Sequence, residues 1–199
     1  MTAARLSRKE KQQQTRAAII DAAITLFAKH GVEGTSMEAI ARHAGLTQGA
    51  IYSNFTGKAD LWWAIGDQMS RTLDLKDLLG AGRSLRDELA GIGRAVWQLL
   101  DTASRTELLL SQEFDLFLMR HPRERAKYAR ETRADQNELA ALLAQGAADR
   151  GEPLPMEPER LARTIESVAF GLLHTFMLDP RSVDEELCVG AFTALATAS

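Results

Sequence analysis

Cysteine is almost absent from this chain: Cys188 is the only one in 199 residues. No internal disulfide and no multi-cysteine metal site can form, which favours a reducing cytoplasm. No apolar run approaches the about 18 residues that a membrane-spanning helix requires. The opening stretch MTAARLSRKEKQQQTR is basic and polar, without the apolar core of a secretory signal. Prolines are few, at five, and strand-type alternation does not persist anywhere. Chemistry-bearing clusters are missing as well. The four histidines, His30, His43, His121 and His174, lack metal-site spacing. Glu113 and Asp115 lie two apart and so on different faces of a helix. No Ser/His/Asp set can be assembled, so the expectation is a protein that is not an enzyme and carries no cofactor or metal.

What is present is helix-forming. Ala, Leu, Glu, Arg and Gln dominate, with 45% hydrophobic and 26% charged residues, an ordinary globular balance. About nine helices are expected, an all-α chain. The first spans Lys11 to His30, with Ile19, Ala22, Ala23, Leu26 and Phe27 on one face and Gly31 at its end. The second opens at TSME, where Thr35 and Glu38 have the spacing of a capping box. The third follows Thr47 and turns Ile51 and Phe55 inward. The fourth starts near Gly57 and Lys58, with Leu61, Trp62, Ile65 and Met69 inside. A loose segment, 78–84, precedes helices five and six, and Pro122 opens the seventh, which ends at Gly151. Helix eight follows Pro158, and helix nine opens at SVDE with Ser182 and Glu185 as a second expected box.

Charge is unevenly spread. Residues 1–60 hold eight Lys/Arg against five Asp/Glu, whereas the remainder holds 16 against 22. A basic head on an acidic body suits a polyanion met by the head alone, and a chance spread of a few charges would look the same. Arg5, Arg8, Lys9, Lys11 and Arg16 form a basic segment that would suit a DNA-reaching arm or a plain solvated tail. Helices two and three then supply a motif. Ala41 lies four residues before Gly45, and Ile51 six after it. A helix-turn-helix needs a small residue where the helices cross, glycine where the turn takes a positive φ, and an apolar residue that locks the second helix down. With Ile51 and Phe55 inside, Gln48, Gly49, Tyr52 and Ser53 face outward with Asn54 at the flank. A merely solvated face would carry Lys and Glu. This one carries small and amide side chains, which can approach base edges and bond to them.

The stretch TRAAIIDAAITLFAKHGVEGTSMEAIARHAGLTQGAIYSNFTGKADLW, residues 15–63, resembles the DNA-binding head of the TetR family of bacterial transcriptional regulators. The likeness rests on the AA..LF...G helix, on the T(S/T)…IA..AG.T.GA.Y core, and on the glycine-alanine pair of helix three. YSNF departs from the bulkier side chains common there, which bears on the operator and not on the mode of binding. The resemblance implies that helix three enters the major groove with Gln48, Gly49, Ala50 and Ser53 toward bases, and Gln48 suits adenine. Thr47, Tyr52, Asn54 and Lys58 would grip phosphate, with Thr35 and Ser36 adding a contact at helix two. Capping alone would account equally well for the threonines, while packing on helix one is the lesser alternative for Tyr52.

By the same resemblance, residues 1–58 form the DNA-binding domain, and 59–199 an effector-binding and dimerisation domain. A homodimer through helices eight and nine is implied, with Leu161, Ile165, Val168, Leu172, Phe192 and Leu195 at the interface. Trp62, Trp97, Phe114, Phe117, Phe170, His174 and Met177 are candidates for a pocket that takes a small hydrophobic or aromatic effector. The expected function is a dimeric, cytoplasmic repressor released from a palindromic operator by that ligand. The alternative is a DNA-binding protein of the same fold governed by a protein partner or lacking an effector.

Overall fold

The computed structural model describes residues 7–69, 79 and 84–197. Arg5, the inner-face role expected of Met69, and most of segment 78–84 lie outside the described residues. Nine α-helices run in order through the described chain: α1 (Arg8–His30), α2 (Met37–His43), α3 (Gln48–Tyr52), α4 (Lys58–Met69), α5 (Leu85–Thr102), α6 (Arg105–Arg120), α7 (Pro122–Arg150), α8 (Pro158–Leu178) and α9 (Glu185–Thr193). Short 3-10 turns follow α8 and α9. Among the described residues there is no strand, and no helix is long and apolar enough to cross a membrane.

Three expectations change at helix starts. The basic segment is not an arm from residue 8 onward. Ser7 accepts the N–H of Glu10 while the Glu10 carboxylate accepts that of Ser7, a capping box that starts α1 at Arg8. Thr35 does not cap α2: it is buried, and the exposed Ser36 accepts the Ala39 N–H instead. Ser182 does not cap α9 either. It closes a 3-10 turn, and Asp184 accepts the Leu187 N–H. A second true box forms at Ser104 and Glu107, where α6 begins.

The chain packs as two compact units. One gathers α1–α4 with α6 and the first turn of α7. The other gathers α5, α8 and α9 with the rest of α7. In the first, Ile19, Ala23, Phe27, Ile40, Ile51, Phe55, Leu61 and Ile65 are almost fully buried. Trp62 lies edge-on to Phe27, ring centroids 5.0 Å apart, with Phe114 and Phe117 of α6 at 6.0 and 6.3 Å. Glu113 of α6 accepts the Val32 N–H at 3.1 Å, just past the end of α1.

The second unit closes around Leu85, Leu89, Ile92, Leu143, Leu161, Ile165, Cys188 and Phe192. An ion cluster pins its ends. Arg150 donates to both oxygens of Glu88, at 2.7 and 3.3 Å, and to Glu152, which also accepts the Leu85 N–H. Glu88 is 2% exposed, so the bidentate guanidinium replaces the water it lost.

Close approach of α5 to α9 depends on Gly93. A Cβ there would stand 2.7 Å from the Cα of Val189 and 2.9 Å from the Cys188 carbonyl oxygen, both backbone atoms that cannot swing aside. Gly93→Ala is therefore expected to force the two helices apart and cost about 2 kcal/mol or more, despite alanine's better helix propensity. A urea midpoint equal to or above that of the parent would contradict this.

Candidate nucleic-acid interface

α3 has five residues and cannot hold itself together in isolation. Its place is imposed by neighbours. Ser36 caps α2, and the turn closes when the Ala44 N–H meets the Ile40 carbonyl at 2.9 Å and the Leu46 N–H meets that of Ala41 at 2.8 Å. Gly45 takes φ +68° there, the left-handed region that glycine enters without cost. Ala41 is buried, which lets α3 pass close by. Thr47 then caps α3 by accepting the Ala50 N–H at 3.2 Å. Ile51 is 0% and Phe55 1% exposed, and each buried side chain contributes about 1.5–3 kcal/mol to holding α3 down.

Arg16 fastens the far end. Its guanidinium lies 4.2 Å from the Phe55 ring centre, and Nη1 donates to the Asn54 carbonyl at 3.2 Å. Arg16 lies within α1, inside the helix expected from Lys11 to His30, and closes over the residue that seats α3 rather than belonging to a free arm or tail.

The outward face has the composition expected of it. Gln48, Gly49, Tyr52 and Ser53 are exposed, and Ala50 and Asn54 partly so. Their polar atoms already have partners within the chain. Ser53 Oγ and Asn54 Nδ2 both donate to the Ala50 carbonyl, at 2.9 and 2.8 Å. Gln48 Nε2 donates to Glu38 Oε1 at 3.0 Å, and the Tyr52 hydroxyl reaches the same oxygen at 3.4 Å. The Glu38 carboxyl is held below its usual value. Its own backbone N–H is the largest cause, followed by the Ser36 hydroxyl; desolvation opposes them, and Gln48 and Tyr52 each help by less than desolvation opposes. The carboxylate thus stays ionised on this face at neutral pH. Sequence reasoning met Glu38 only as half of a capping box. Its standing on the face follows from the α2–α3 crossing, which brings residues 38, 48 and 52 together.

Two phosphate candidates have inward duties. Thr35 is 3% exposed and donates its hydroxyl proton to the Gly31 carbonyl at 2.8 Å, with the Leu26 carbonyl at 3.3 Å. That leaves Ser36 as the exposed hydroxyl of the turn. Lys58 donates to the Val32 carbonyl at 2.9 Å and stands 3.8 Å from the Glu33 carboxylate, with 30% of its side chain exposed. An ammonium has three donors, so the Val32 bond leaves others available.

The seven ligand candidates divide between the units. Trp62, Phe114 and Phe117 belong to the aromatic cluster of the first unit, and Trp62 is fully enclosed by it. Phe117 lines a cavity of about 460 Å³ in that unit, together with Glu33, Lys58, Arg120, His121 and Glu124. In the second unit Trp97 meets Phe176 edge-on at 6.4 Å, while Phe170 and His174 are exposed and Met177 is half-buried. That unit has its own cavity of about 160 Å³, walled by Ile92, Val96, Leu139, Ala162, Ile165 and Ala169 and edged by Asp135, Gln136 and Glu166. None of the four candidates lines it. Gln136 Nε2 donates to Glu166 at its rim.

Among the interface candidates, Leu161, Ile165, Leu172 and Phe192 are buried in the core of the second unit, with Val168 and Leu195 packed against it. The apolar side chains that α8 and α9 leave outside are Phe170, Leu178 and Leu187. Helical spacing in the sequence marked the inner stripe and could not tell that this stripe is consumed within one chain.

Comparison with known proteins agrees with this geometry. A sequence model of bacterial regulatory proteins, tetR family, matches residues 19–65, the stretch that contains α2, the turn and α3. The HTH-type transcriptional regulator TtgR of Pseudomonas putida is 33% identical over 187 residues, covering 88% of this chain and 86% of its own. The probable HTH-type transcriptional regulator ArpR of Pseudomonas putida is 34% identical over 190 residues with the same coverage. The crystal structure of NalD, the secondary repressor of the MexAB-OprM multidrug efflux pump in Pseudomonas aeruginosa, superposes with a TM-score of 0.69. It is 26% identical and covers 94% of this chain and 97% of its own.

The two hydroxyls at the start of α2 act differently and can be separated. Thr35→Val removes the part-buried hydroxyl bonds to the Gly31 and Leu26 carbonyls and is expected to cost about 1–2 kcal/mol. Ser36→Ala removes an exposed cap and is expected to cost about 1 kcal/mol. Urea unfolding measures both. A Thr35→Val midpoint equal to the parent's would contradict its inward role.

Proposed function

The chain belongs to the tetR family of bacterial regulatory proteins, and on that premise we propose that it is a dimeric repressor holding a palindromic DNA operator through α2 and α3. The observation that carries this reading is the outward face of α3. A five-residue helix, anchored by Ile51 and Phe55, presents neutral hydrogen-bonding side chains and two small residues where a solvated surface would carry charges. Gln48, Gly49, Ala50 and Ser53 face the bases. Ser36, Thr47, Tyr52, Asn54 and Lys58 meet phosphates, which position the helix without reading sequence. Thr35 turns inward to the Gly31 and Leu26 carbonyls and is not among these contacts.

Repression is supported by NalD, named as a repressor and alike over nearly the whole chain. Dimerisation is supported by the family, and by Phe170, Leu178 and Leu187, which α8 and α9 leave exposed at 46%, 75% and 44%. Two-fold symmetry would place two copies of α3 on successive major grooves. A small effector is supported by the apolar cavity of the second unit, whose Gln136–Glu166 edge suits a ligand with one polar end. Such a ligand acts by favouring a state that holds DNA less well, and a coupling of about 1–3 kcal/mol suffices.

Gln48→Ala is expected to lose discrimination at one base pair of each half-site, by about 1–3 kcal/mol, with the protein's stability unchanged. Titration of single-base operator variants measures it, and equal affinities across parent and variant would remove Gln48 from base reading. Lys58→Ala should behave differently. It is expected to weaken binding to every sequence and lower the slope of log K against log salt by about one phosphate's worth. It should also cost about 1 kcal/mol of stability through the lost bond to Val32. An unchanged slope with the stability loss present would confine Lys58 to holding α4.

A further inference from the structure

Glu38 is an anion on a surface that must approach phosphates. It belongs to α2, yet its Oε1 accepts from two residues of α3, Gln48 Nε2 at 3.0 Å and the Tyr52 hydroxyl at 3.4 Å. Coulomb repulsion from DNA opposes such a charge at every sequence alike, so it lowers general affinity. Its charge suits the first turn of α2, and its bonds to two α3 side chains point to a second use on that face. A carboxylate only accepts, so it forces the Gln48 amide to turn its nitrogen inward and leaves Oε1 and the second N–H of that amide for a base edge. Without this bond an exposed glutamine samples many rotamers and loses that freedom on binding. With it, the amide is oriented before DNA arrives. Ionisation of Glu38 is favoured by its own backbone N–H and by Ser36, so the acceptor persists at neutral pH.

We infer that Glu38 is a positioning residue for sequence recognition: it trades general affinity for discrimination by holding the Gln48 amide and the Tyr52 hydroxyl in place on α3. This rests on the DNA-reading function proposed above. The surface that determines sequence is then not α3 alone. It is a hydrogen-bonded trio drawn from two helices, and α2 contributes to specificity without touching a base.

The test is selection from a randomised duplex pool, with titration of the unselected pool alongside, for the parent, Glu38→Gln, Glu38→Ala, Gln48→Ala and the double variant Glu38→Ala/Gln48→Ala. Glu38 is exposed, so only a small lowering of the melting temperature is expected for both single Glu38 variants, from the lost bonds at the start of α2. Glu38→Gln removes the charge and keeps an acceptor oxygen. It should bind the unselected pool more tightly and keep the parent motif. Glu38→Ala should also bind the pool more tightly, but lose about tenfold of the preference at the base pair that Gln48→Ala loses. In the double variant the loss at that pair should be no greater than in Gln48→Ala.

Retention of the full motif by Glu38→Ala would overturn the inference, showing a bond that DNA simply breaks. A deeper loss in the double variant would overturn it too, because Glu38 would then read a base directly. A parent protein that enriches no motif would sink the DNA-reading function itself, and this role with it. That outcome differs from a failure confined to the Glu38 variants.

Discussion

Burial of Ile51 and Phe55 is the interaction on which the candidate interface depends. Five residues of α3 cannot pay the entropy of nucleation by themselves. The two apolar side chains, 0% and 1% exposed, supply what local hydrogen bonds cannot, and they fix the rotation of the helix about its axis. Once that rotation is set, the directions of Gln48, Gly49, Tyr52 and Ser53 follow from helical geometry. The surrounding devices serve the same seating. Ala41 lets α3 come close, Gly45 turns the chain, and Arg16 closes over Phe55 from α1. The chemistry of the face is thus a consequence of packing beneath it.

In the second unit a similar logic decides what remains for a partner. α8 is apolar over a wide stripe, and the chain's own core takes Leu161, Ile165 and Leu172 from it. The approach of α5 to α9 at Gly93 and the Glu88–Arg150 pair close that core at two places, and the cavity beside Ile92 and Ile165 is space left within it. α8 and α9 leave Phe170, Leu178 and Leu187 exposed, and the cavity of this unit is walled mainly by aliphatic side chains rather than the aromatic ones.

Several local rules proved insufficient for a physical reason. The spacing Ser/Thr-x-x-Glu occurs at Ser7, Thr35, Ser104 and Ser182, and only the first and third make the reciprocal box. Thr35 lies against the first unit's core, where its hydroxyl gains more from the carbonyls of Gly31 and Leu26 than from a cap. Near Ser182 the chain first turns as a 3-10 helix, and Asp184 inherits the capping role. Arg16 belongs to a basic run in the sequence, and charge runs carry no information about a stacking partner 39 residues downstream. At Thr35 and Ser182 competing bonds to carbonyls three to nine residues back outweighed a capping preference of about 1 kcal/mol, and only Arg16 depends on a partner distant in sequence.

The sequence alone determined the all-α class, nearly every helix, the Ala41–Gly45–Ile51 turn and the neutral face of α3. Those properties are written in periodicity and in spacings of a few residues, where backbone geometry converts sequence directly into direction. Only the tertiary structure decided that Glu38 joins Gln48 and Tyr52, that Thr35 turns inward, and that the apolar stripe of α8 is used within one chain. Each of those depends on residues brought together by crossing helices, and helix crossings are set by the summed packing of the core, not by any one stretch of sequence.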